Sequence, residues 1–104
     1  MIKIRYYEAK HEIKLKGHAE YAEAGKDIIC ASASMLCYTL LQSLNFASEK
    51  LEKLEGEVNP GDTLISCVPK EEFKKEIDIV YSTINSGFIL LSANYPDYVD
   101  FKVI

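Results

Sequence analysis

Residues Met1 to Tyr7 alternate Ile2, Ile4 and Tyr6 with Lys3, Arg5 and Tyr7, the period of two that marks a half-buried strand. A second strand is predicted at about His11 to Lys16, with Ile13 and Leu15 inward and Glu12, Lys14 and Lys16 outward. Only Glu8, Ala9 and Lys10 lie between them, so the two should pair as an antiparallel hairpin. Gly17 ends the second strand, and residues 18 to 26 read as a loop punctuated by Gly25 and Lys26. From Ile28 to about Ala47 there is no Pro or Gly, and Ala33, Leu36, Leu40, Leu44 and Ala47 recur at helical spacing. Cys30, Ser34, Cys37 and Leu41 fall on the flank of that stripe.

The charged run from Glu49 to Glu57 predicts a helix end passing into a short edge strand, with Leu51 and Leu54 inward. Asn59-Pro60-Gly61-Asp62 is a turn, and Thr63 to Val68 is a β-favouring run suited to a central strand. A second helix is predicted from Lys70 to about Asn94, carrying Phe73, Ile77, Val80, Tyr81, Ile84, Phe88 and Leu91 on one face. Gly87 within it costs about 1 kcal/mol relative to Ala and so implies close backbone packing. A last strand spans Tyr98 to Ile104. The order ββαββαβ predicts an α+β fold, a largely antiparallel sheet with two helices on one face.

The length of 104 residues, 48% hydrophobic and 27% charged, fits a single domain over residues 1–104 with one core. No apolar run is expected to reach the roughly 18 residues that span a bilayer, and the alternating N-terminus does not resemble a signal peptide. A cytoplasmic protein with no membrane partner is expected. The net charge of -4 argues against direct nucleic-acid binding. Three cysteines without paired spacing read as free thiols in a reducing compartment.

The candidate chemistry lies between Gly17 and Ser34. Asp27 is a good N-cap for the first helix. Cys30 in its first turn is either a small buried hydrophobe or a nucleophile. In the second reading, uncapped N–H groups and the helix macrodipole favour its thiolate and can steady an oxyanion. His18 is either a surface residue or the base that takes the thiol proton. Asp27 either caps the helix or orients the imidazole, and capping is the favoured role. Ser34, one turn beyond Cys30, is a packing and hydrogen-bonding neighbour. Cys37 and Cys67 read as core residues, and His11 as an exposed side chain. A zinc site from His18, Cys30, Cys37 and Cys67 lacks the close ligand pairs that structural zinc uses. No metal or cofactor is expected.

The run Gly17-His18-Ala19, then Gly25-Lys26-Asp27-Ile28-Ile29-Cys30-Ala31 and Ser34, resembles the signature of the bacterial ribosomal-processing cysteine protease family, Prp. Gly61-Asp62 and Tyr95-Pro96-Asp97-Tyr98-Val99 are similar to that family too, while Ala33 replaces a residue that is more often β-branched there. The resemblance implies a small α+β fold, usually homodimeric. It implies an endopeptidase that removes the N-terminal extension of a basic large-subunit ribosomal protein, the twenty-seventh of the series, cutting after an aromatic residue. Cys30 would be nucleophile and His18 general base, with Asp27 and Ser34 in support and Gly17 and Gly25 flanking a mobile loop. The alternative is a non-catalytic, ribosome-associated binding domain.

Overall fold

The computed structural model describes residues 1–23 and 27–104. Five strands, β1 (Ile2–Tyr7), β2 (Glu12–Lys16), β3 (Leu51–Asn59), β4 (Asp62–Pro69) and β5 (Val99–Val103), form one sheet in the order β3-β4-β2-β1-β5. Helix α1 (Ile28–Phe46) joins β2 to β3, and α2 (Lys74–Asn94) joins β4 to β5. Every neighbouring pair is antiparallel except β1 with β5, which is parallel. The fold is therefore α+β with a mixed, largely antiparallel sheet.

The exception follows from connectivity. A helix that crosses the sheet returns the next strand in the direction of the one before it. Thus β4, α2 and β5 form a crossover that skips β2 and β1, and β5 settles beside β1. Alternation does the rest. Ile2, Ile4, Tyr6, Ile13, Leu15, Ile65, Cys67 and Val99 are buried on one face beneath the helices. Lys3, Lys14 and Lys16 are exposed on the other. From α1, Ile29, Ala33, Cys37, Leu40 and Leu44 fill the core, and from α2, Ile77, Tyr81, Ile84, Phe88 and Leu91. Cys37 lies within the stripe rather than on its flank, and Leu36 is half-buried instead. Leu36 lies against Gly87, where a Cβ would come within 2.6 Å of its Cδ2, so the expected close approach is helix against helix.

Three expectations need correction. The segment after α1 is a short 3-10 turn, Ser48–Lys50, and then a nine-residue strand, not a helix end and a brief strand. Strand β3 lies at the sheet edge and carries a register shift between Leu51 and Lys53. Charges on both sides of an exposed edge strand erase the alternation that would have revealed it, and they also protect the edge from pairing with another chain. Next, α1 is by length and composition apolar enough to cross a membrane. Here it seats one face on the sheet and supplies much of the core, the behaviour of a core helix.

His11 is the third correction. It is 6% exposed, in a left-handed conformation (φ 48°) at the reversal between β1 and β2. Its Nε2 lies 2.6 Å from Asp78 Oδ1, and its carbonyl accepts from the Tyr81 hydroxyl at 2.5 Å and from Cys67 N at 3.3 Å. The charged residues around it in sequence conceal this, because its partners come from β4 and α2. Replacing Tyr81 by Phe removes a buried donor to that carbonyl. The expected loss is about 1–2 kcal/mol, read as a fall in Tm of roughly 4–8 °C per kcal/mol. An unchanged Tm would remove this bond from the account of how the hairpin is held.

Candidate active site

Asp27 starts α1 in an extended conformation, as an N-cap should. Its Oδ1 accepts from Ile29 N and Cys30 N, both at 3.0 Å. Its Oδ2 accepts from Tyr21 N at 3.0 Å and Ala22 N at 3.5 Å. One carboxylate thus caps the helix and also staples the preceding loop to it. Burial alone would push its pKa up, but the four N–H donors, led by Cys30 and Tyr21, outweigh that and hold it below the ordinary aspartate value.

This arrangement overturns part of the reading made from sequence. The N–H groups of Ile29 and Cys30 are occupied by Asp27, so they are not free to steady a thiolate or an oxyanion. A carboxylate at the cap also offsets the positive end of the macrodipole. The donor that does meet the sulfur is Ala19 N, 3.4 Å from Cys30 Sγ. Ala19 is buried, which fixes that N–H at the helix start. The motif contains Ala19, but only the folded loop reveals its backbone contribution.

Cys30 is half-buried, as a residue at the edge of the core. His18 is exposed. Both line one cleft of about 150 Å³, together with Ser34, Tyr38 and the turn residues Asn59, Pro60 and Gly61. Among the described residues, no hydrogen bond joins the imidazole to Cys30 or to Asp27. Asp27 therefore does not orient His18 here, and both its oxygens are already committed. Ser34 lines the same cleft and is exposed, but its hydroxyl bonds no described residue, so the expected hydrogen-bonding role is not made.

The loop after His18 is anchored at several points. Gly17 has φ +97°, and its N–H donates to Gly61 O at 3.0 Å. The Tyr21 ring meets Tyr95 and Tyr98 edge-on, with centroids 6.0 and 5.2 Å apart. Gly25, the other expected flank of the loop, lies outside the described residues. Cys37 and Cys67 are both in the core. Burial pushes the Cys37 thiol up to about 12 and raises that of Cys67, so neither suits nucleophilic chemistry at neutral pH. Among the described residues, no three His, Cys, Asp or Glu side chains converge on a metal position. A larger apolar groove of about 760 Å³ opens between the helices beside Ile28 and Ala31, with Met35, Leu90, Leu91 and Tyr95 in its walls.

A half-buried thiol at a helix start and a histidine in the same cleft, on a small α+β fold, are the parts that a cysteine protease needs. The model of the family described as Cysteine protease Prp matches residues 1–100, and the chain belongs to that family. A relative from Mycoplasma genitalium, named ribosomal processing cysteine protease Prp, is 28% identical over 99 residues, covering 95% of this chain and 92% of that protein. The structure of the essential ribosomal processing protease Prp from S. aureus with a covalently linked product peptide shares the fold. Its TM-score is 0.78 at 19% identity, covering 99% of this chain and 97% of that one. The same S. aureus protease with a substrate peptide gives 0.72 at 17% identity, with the same coverage.

Proposed function

We propose that this protein is the cytoplasmic endopeptidase that removes the N-terminal extension of the twenty-seventh large-subunit ribosomal protein, with Cys30 as nucleophile and His18 as general base. The observation that carries this reading is the shared cleft: His18 and Cys30 line it together, with the Ala19 N–H directed at the sulfur. The imidazole takes the thiol proton, and the sulfur attacks the scissile carbonyl to form a tetrahedral intermediate. As that collapses, the imidazolium gives its proton to the leaving amine and a thioester remains. Water, deprotonated by the same imidazole, then attacks the thioester and releases the acid and the thiol.

The aromatic residue before the cut needs an apolar surface beside Cys30, and Leu15, Val58 and Pro60 in the wall of the same cleft supply one. Large apolar side chains exposed on the helices, among them Met35, Phe46 and Leu90, suit a homodimer contact, which sedimentation at micromolar protein would register as twice the monomer mass.

A peptide spanning the extension junction tests the substrate. The parent should cut it once, after the aromatic residue, and a parent that leaves it whole would overturn the assignment. A thiol-alkylating agent at neutral pH tests the pair. It should label Cys30 well ahead of the buried Cys37 and Cys67, and His18→Ala should slow the labelling of Cys30 itself. Equal labelling of Cys30 in parent and His18→Ala would take the base role from His18.

A further inference from the structure

The turn between β3 and β4 reaches across to His18. Gly61 has φ +70°, and a Cβ placed on it would run into the imidazole at Nε2, with Cε1 at 2.8 Å and Cδ2 at 3.1 Å. The backbone is tied as well. Gly61 O accepts from Gly17 N, the residue before the histidine, at 3.0 Å. The ring therefore rests against a bare Cα, while the main chain leading into it is pinned to the same residue. Asn59, Pro60 and Gly61 form one wall of the cleft that holds His18 and Cys30.

We propose that Gly61 is a positioning residue for His18, its missing side chain setting where the imidazole stands relative to Cys30. This rests on the assignment of His18 as general base. His18 is exposed, and among the described residues no hydrogen bond of its own holds the ring, so contact with the turn is what limits its rotamers. Any side chain at 61 pushes Nε2 out of that place. Misplacing a catalytic group by about 1 Å costs on the order of 10²-fold in rate. The substrate need bind no differently, so the effect falls on kcat rather than KM.

The test is Gly61→Ala, with Asp62→Ala as a control that perturbs the same turn without adding an atom beside the ring. The chain has two histidines, and His11, at the other end of β2 against Asp78 and Tyr81, serves as an internal reference in the imidazole NMR spectrum. Gly61→Ala should move the His18 ring signals while those of His11 stay in place. It should also lower kcat on the junction peptide by about 10–100-fold, with KM within about threefold. Asp62→Ala should leave both imidazole signals and kcat as in the parent.

An unmoved His18 signal in Gly61→Ala, or an equal shift in Asp62→Ala, overturns the proposal. If Gly61→Ala does not fold because of the left-handed backbone at 61, Gly61→Asn, which tolerates that conformation and still places a Cβ beside the ring, replaces it, and the same imidazole spectrum decides. A peptide that the parent leaves uncut counts against the substrate assignment alone, because the imidazole spectrum still decides this proposal.

Discussion

Cys30→Ala is expected to abolish cleavage of the junction peptide, with kcat/KM falling by at least about 10³-fold, while the fold persists. The side chain is half-buried at the edge of the core, and loss of one sulfur there opens no large cavity, so the Tm should change by only a few degrees. The chemical loss has no such tolerance. Neither Cys37 nor Cys67 can substitute, because both lie in the core with raised thiol pKa values. His18→Ala should approach the same floor. Nucleophile and base act as a unit, so the double variant should be barely worse than either single one. Circular dichroism and single-turnover assays on the three variants check this. Product formation by Cys30→Ala at the parent rate would end the protease reading, and additive losses in the double variant would show that the two residues do not work together.

The second large effect concerns Asp27, whose carboxylate takes four backbone donors. Asp27→Ala leaves the helix uncapped and frees the loop that carries Ala19 and Tyr21. A lost cap costs about 1–2 kcal/mol, and the loop contacts bring the expected total to roughly 2–3 kcal/mol. Activity should fall by about 10–100-fold, because the helix start and the Ala19 N–H lose their common anchor. Asp27→Asn separates this role from a triad role. Neutralising an aspartate that orients an imidazole costs about 10⁴-fold with geometry intact. A loss that large, with unchanged stability, would contradict the cap assignment.

The same residue shapes acid stability. Its folded pKa lies below the unfolded one, so its contribution is fully present above the unfolded value near pH 4 and is lost as the pH falls through the folded value. Parent and Asp27→Asn should therefore differ most in urea stability at neutral pH and converge as the pH falls below about 4. Parallel curves down to pH 2 would be incompatible with the depressed carboxylate.

The elements that could be read from sequence were those whose two sides face different surroundings. Ile2, Ile4 and Tyr6 announce β1 because one face meets the helices and the other meets water, and Leu40 and Leu44 mark α1 for the same reason. Strand β3 has no such contrast. It sits at an edge, is charged on both sides, and gets its inward residues from a shifted register, so its length followed only from pairing with β4. His11 was hidden for a related reason, since Asp78 and Tyr81 lie 67 and 70 residues away in the chain.

The site divides along the same line. The sequence by itself supplied the candidate side chains, whose roles the family resemblance implies: a cysteine in the first turn of a helix, an aspartate able to cap that turn, and a histidine after a strand-ending glycine. Those are local facts, set by residue type and by spacing along one segment. Only the tertiary structure decided what each group faces. It committed Asp27 to four N–H donors and away from His18, set the Ala19 N–H on the sulfur, and brought Gly61 against the imidazole from a hairpin more than forty residues downstream. Hydrogen bonds and van der Waals contacts act over a few ångströms of space, whatever the separation along the chain, so the contact of Gly61 with the imidazole exists only once the sheet has brought β2 and β4 side by side.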